Sequence, residues 1–88
     1  MTTHTEAGAV WQTLKGVVPG ARVGYTTAPS GKLEPAPKDL RRWPITTWRT
    51  IARLEADKAH KAIRLHFTDG SQEWGGLATR YWVDGGVA

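Results

Sequence analysis

The chain has no cysteine, which excludes disulfides and thiolate metal sites and removes any argument for an oxidising compartment. No apolar run approaches the roughly 20 residues that a membrane-spanning helix requires. Nor does a basic stretch followed by an apolar run mark a signal peptide. A cytoplasmic protein with no membrane role is therefore expected. Catalytic signatures are missing as well. His4, His60 and His66 are the only histidines, and none has a neighbour at metal-ligand spacing. There is no Gly-x-Ser-x-Gly, no Walker-type loop and no paired-carboxylate spacing. These absences predict a protein that is not an enzyme and needs no cofactor. Acidic residues are scarce too, eight against twelve Lys and Arg, which leaves a net charge of +4.

What is present is ordinary globular composition, 40% hydrophobic and 23% charged over 88 residues, which suits one small domain spanning residues 1–88. The clearest local signal runs from Ile63 to Trp74. Ile63, Leu65 and Phe67 alternate with Arg64, His66 and Thr68, the period of two that gives a strand one apolar and one polar face. Thr68-Asp69-Gly70-Ser71 reads as a tight turn, because Asp tolerates the bend and Gly supplies positive φ. Gln72-Glu73-Trp74 resumes the chain, so the stretch predicts a β-hairpin.

Elsewhere the pattern is weaker. Thr3-His4-Thr5-Glu6 has capping-box spacing, and Ala7, Val10, Trp11 and Leu14 fall on one helical face. A short helix over about 4–15 is predicted, weakened by Gly8. Pro19-Gly20 is a turn, and Ala21–Thr26 is a strand with Ala21, Val23 and Tyr25 on one face. Pro29, Pro35, Pro37 and Pro44 make residues 27–46 a long Pro-rich loop, with at most a single helical turn over 38–43. The segment 46–56 reads as a strand in which a β-bulge puts Ile51 and Leu54 on the same face. A helix at about 46–62 on a three-stranded sheet, giving an α+β domain, is the alternative. Residues 57–61 are a polar connection, Gly75-Gly76 breaks the chain, and 79–83 form a last strand with Tyr81 and Val83 on one face. About five short strands in a meander curl most simply into a small barrel.

Gly20-Ala-Arg-Val, Trp48-Arg-Thr-Ile-Ala-Arg-Leu and Ile63-Arg-Leu-His-Phe-Thr-Asp-Gly-Ser together resemble small SH3-like β-barrels of actinobacterial and actinophage type, over about residues 18–83. The connection at 27–46 is longer than such barrels often have. The resemblance implies a mainly-β barrel preceded by the short helix, and a non-catalytic binding role. It also implies the possibility of a phage-type adaptor or inhibitor that binds a host protein.

Charge is local. Lys38, Arg41, Arg42, Arg49 and Arg53 against Asp39 hold the whole net charge of +4 within residues 38–53. Trp43 and Trp48, two of five tryptophans, lie in the same segment. Interleaved Trp and Arg suit a surface that stacks on bases and contacts phosphates. The same residue types are favoured at protein–protein hot spots. The bland explanation has both rings capping the open ends of a barrel while the arginines are solvated. Nucleic-acid binding through Lys38, Arg41, Arg42, Trp43, Trp48, Arg49 and Arg53 is the leading expectation, with a protein partner as the alternative. Exposed sheet edges leave a homodimer open under either.

Overall fold

The computed structural model describes residues 9–85. Seven strands run through them: β1 (Ala9–Thr13), β2 (Arg22–Thr27), β3 (Leu33–Pro35), β4 (Thr47–Asp57), β5 (Ala62–Phe67), β6 (Gln72–Gly76) and β7 (Arg80–Asp84). Every pairing is antiparallel, in the order β1-β7-β2-β4-β5-β6, with β3 added to β2. Among the described residues there is no helix. The protein is mainly β, and its sheet is open.

The hairpin forms as the alternation dictates. Ile63, Leu65 and Phe67 are buried, while Arg64 and His66 on the other face stay partly open. The Phe67 amide donates to the Ser71 carbonyl at 2.9 Å, and Gly70 takes the positive φ of 89° that the turn requires. Asp69 accepts the Ser71 amide at 2.8 Å, which closes the bend.

β4 is the longest strand, with 11 residues. Thr47–Thr50 pair with β2, and the strand from Ile51 onward pairs with β5. The β4–β5 register shifts between Ile51 and Arg53, leaving Ala52 as the extra residue of a bulge. Ile51 is therefore buried, and Leu54 packs on the same core from three residues away. The helix at 46–62 is overturned, because both edges of this segment find ladder partners. The inner faces of the curled sheet enclose Leu14, Val17, Ala21, Val23, Tyr25, Ile51, Ile63, Leu65, Phe67, Tyr81 and Val83.

Three other expectations need correction. The helix over 4–15 is replaced at 9–13 by β1, and residues 4–8 lie outside the described residues. Trp11 is better placed on a strand, where its ring meets Trp82 at 5.5 Å and the backbone pairs with β7. Val10, expected on a buried face, is 53% exposed. Residues 27–46 are not one loop, since β3 folds back on β2 through a turn in which Ala28 donates to Lys32 at 2.8 Å. Pro35 is tolerated because β3 is a short edge strand. Gly75-Gly76 does not break the chain. Both belong to β6, and the last strand covers Arg80–Asp84, one residue later than predicted at each end.

Gly75 has a packing reason. A Cβ there would strike the Tyr81 hydroxyl, which reaches across the core from β7 to β6. Gly75→Ala is expected to destabilise by about 1–3 kcal/mol through overpacking. Tyr81→Phe in the same chain should recover part of that loss, as read by thermal or denaturant unfolding. Strictly additive losses would show that the two positions do not collide.

Candidate functional site

Residues 36–46 lie across the outer face of β2 and β7. The Ala36 amide donates to the Gly24 carbonyl at 3.0 Å, and the Thr46 amide donates to the Tyr25 carbonyl at 2.8 Å. Between these anchors, the Trp82 indole N–H donates to the Pro37 carbonyl at 2.8 Å. Ile45 fills the space that a side chain at Gly24 would need, its Cδ1 standing 2.7 Å from an ideal Cβ. Gly24 and Thr26 are consequently buried although they point away from the main core.

The segment between these tethers carries the expected basic residues. Asp39 starts a single helical turn: its carbonyl accepts the Trp43 amide at 3.2 Å, and its carboxylate accepts the Arg41 amide at 3.1 Å. Lys38, Arg41 and Arg42 are exposed. Trp43 is 37% exposed and lines a shallow cleft of about 240 Å³ with Thr26, Glu34, Pro35 and Pro37. Four of the seven predicted residues, Lys38, Arg41, Arg42 and Trp43, thus share one short, anchored projection.

The other three are dispersed by the alternation of β4. Trp48 lies opposite Gly24 in the β2–β4 ladder, and the Arg22 guanidinium sits 5.5 Å from its ring. Its indole N–H is buried without a hydrogen-bond partner among the described residues. Arg49 points the opposite way. Its guanidinium lies 3.9 Å from the Phe67 ring centroid and 4.7 Å from that of Tyr25. Glu73 pairs with it at 3.4 Å, and it donates to the Ser71 hydroxyl, leaving the side chain only 11% exposed. Beyond the bulge, Arg53 stands on the outer face of β4–β5, beside Glu55 at 3.3 Å and His66 at 3.4 Å.

A further aromatic–cation pair, on the hairpin, was not expected. Trp74 is 58% exposed, and Arg64 stacks over its ring at 4.4 Å. The two residues are direct partners in the β5–β6 ladder. Counting the hairpin register from Asp69-Gly70 pairs Trp74 with Arg64 on the polar face, which is the signal that places it correctly.

Carboxylates here are mostly engaged. The Glu55 carboxyl is held below its ordinary range, first by the His66 hydrogen bond and then by Arg53 and Arg64. Hydrogen bonds from the Ser71 hydroxyl and amide lower Asp69. Burial pushes the Tyr25 hydroxyl up to about 12, against the opposing effect of Arg49. No cluster of three or more His, Cys, Asp or Glu that could hold a metal occurs among the described residues. No helix among them is long and apolar enough to cross a membrane.

The chain matches no protein-family model, no curated protein and no solved structure.

Two outcomes follow from this geometry. Arg49→Ala strips a buried network of its cation and should cost about 1–3 kcal/mol, whereas the Arg41→Ala, Arg42→Ala double variant should melt with the parent. Comparison of the two unfolding curves checks this, and a large loss in the double variant would make those arginines structural. The second outcome concerns pH. From the ordinary tyrosine value of 10.0 to about 12, the unfolded chain ionises Tyr25 while the folded protein keeps the proton. Stability should therefore fall as pH rises through that window. Tyr81 is also pushed up by burial, so Tyr25→Phe should flatten the fall only in part.

Proposed function

We propose that this protein is a small non-enzymatic binding module that takes up nucleic acid along the projection at residues 38–43. The observation that carries the reading is the grouping of Lys38, Arg41, Arg42 and a partly exposed Trp43 on a turn anchored at both ends. Asp39 is the only acid within it, and its carboxylate is used by the Arg41 amide. Cations attract phosphate, and an indole offers a stacking surface that accepts any base. A preorganised turn loses little entropy on binding. No helix is available among the described residues to enter a major groove, so sequence preference should be weak.

We also read the curled sheet as a small SH3-like barrel. Support comes from β4, which bends at its bulge to serve β2 with one half and β5 with the other. The second functional reading is a protein partner, in the manner of a phage adaptor or inhibitor. It is favoured by an apolar groove of about 450 Å³ bounded by Leu14, Val17, Leu54, Ile63 and Leu77.

Because Arg49 is committed to the interior and Arg53 stands on another face, three cations remain on the projection. The slope of log K against log salt should be about −2.7 on duplex DNA, at roughly −0.9 per phosphate contact. Trp43→Ala should weaken single-strand binding by about 1–3 kcal/mol. Fluorescence titration of the tryptophans with a mixed-sequence oligonucleotide at several salt concentrations measures both. Absence of quenching at low salt would transfer the reading to the protein partner.

A further inference from the structure

The outer face of β4–β5–β6 carries a site of different chemistry from the basic projection. We propose that the cleft beside Trp74 binds a neutral saccharide, with Trp74 as the platform for a sugar ring and Arg64, Lys58 and Glu55 as hydrogen-bonding partners of its hydroxyls. The cleft is open, about 530 Å³ in volume, and lined by Glu55, Ala56, Asp57, Lys58, Arg64 and Trp74. That volume lies within the roughly 300–1,000 Å³ range of small-molecule sites.

The platform is set in advance. Trp74 sits on a strand, and Arg64 directly across the ladder holds the ring at 4.4 Å. A guanidinium can cover only one face of an indole, and the residue keeps 58% of its surface open. A large aromatic on a polar sheet face adds little to the core, and its open surface is available to a ligand that stacks. The C–H face of a pyranose is such a ligand, being apolar on the ring and polar at the rim.

Polar capacity at the rim is also unspent. Arg64 makes no ion pair or hydrogen bond to any described residue, although Glu55 is its neighbour in the β4–β5 ladder. Glu55 is drawn away by His66 and Arg53, which both contact Oε1. Its Oε2 has no partner among the described residues and can accept a hydroxyl. The five N–H donors of an arginine fork can serve adjacent hydroxyl oxygens. Lys58, also in the lining, adds further donors.

Charge gives a polyanion little advantage here. Two carboxylates, Glu55 and Asp57, balance Lys58 and Arg64 in the lining, and Arg53 adds one cation at the margin, where it pairs with Glu55. Phosphate would meet the carboxylates at close range, whereas an uncharged polyol uses donors and acceptors of both signs. A quaternary ammonium on the open face would share the ring with the Arg64 cation on the other, whose positive charge opposes it.

The test uses the intact chain and a panel of neutral probes: β-1,4-glucan, α-1,4-glucan and chitin-derived oligosaccharides. Two-dimensional NMR follows the indole N–H signals of the five tryptophans separately. One or more probes should shift the Trp74 signal saturably, and the affinity should be the same at low and high salt. Trp74→Ala should weaken binding by about tenfold or more, and Arg64→Gln should weaken it as well, while Trp43→Ala leaves it unchanged. Trp74→Phe, which keeps an aromatic plate, should retain part of the affinity and guards against an unfolded alanine variant. The proposal is overturned if no probe shifts Trp74, or if Trp74→Ala binds like the parent. It is equally overturned if only an oligonucleotide shifts the signal, because the plate would then stack on bases.

Discussion

At Ala52 the β4–β5 ladder slips by one residue, and the geometry of the whole sheet follows from that slip. A bulge bends its strand and raises the local twist. β4 can therefore leave β2 and join β5 without a loop between the two halves. The slip also resets parity. Ile51 and Leu54, which simple alternation would place on opposite faces, both reach the core. Arg49 lies two residues before Ile51 and shares its inward direction, so a guanidinium lies among aromatic rings at the core's margin.

Such a placement is tolerable only when the charge is fully engaged. Arg49 lies over Phe67 and Tyr25, pairs with Glu73 and donates to Ser71. Ser71 in turn is fixed by Asp69 in the hairpin turn. The turn that closes β5–β6 and the cation that seals the core edge are thus one hydrogen-bonded unit. A residue typical of a binding surface has become part of the packing.

The outer face of β2 shows the complementary case. Gly24 leaves a slot, Ile45 fills it, and Trp82 binds Pro37, so a segment rich in proline and arginine becomes a second layer. Its anchoring costs little entropy, since the prolines restrict the chain before it folds. What projects from that layer is a short basic turn with a half-open tryptophan. At the far side of the sheet, Arg64 and Trp74 form a separate plate surrounded by charges of both signs. The two aromatic surfaces therefore differ in electrostatics as well as in position.

Much of this was written in local pattern. The alternation of Ile63, Leu65 and Phe67, the Asp69-Gly70 turn and the need for a bulge near Ala52 are short-range features, and short-range physics determines them. The exposed cations at 38–42 were legible too, because charged residues in a Pro-rich connection have nowhere to be buried. Long-range pairing decided the rest. Ala7, Val10, Trp11 and Leu14 fit a helical period, and only the arrival of β7, with Trp82 for Trp11 to meet, turned residues 9–13 into a strand. Gly75 looks like a break in sequence and Gly24 like an ordinary strand residue, yet each makes room for a side chain from a distant element, Tyr81 and Ile45 respectively. Trp48, Arg49 and Arg53 are near neighbours in the chain, but the strand period and the bulge send them to different surfaces. Sequence determined which residues could carry charge and stacking, and the register of the sheet decided which of them stand together, because a one-residue step on a strand exchanges one face for the other.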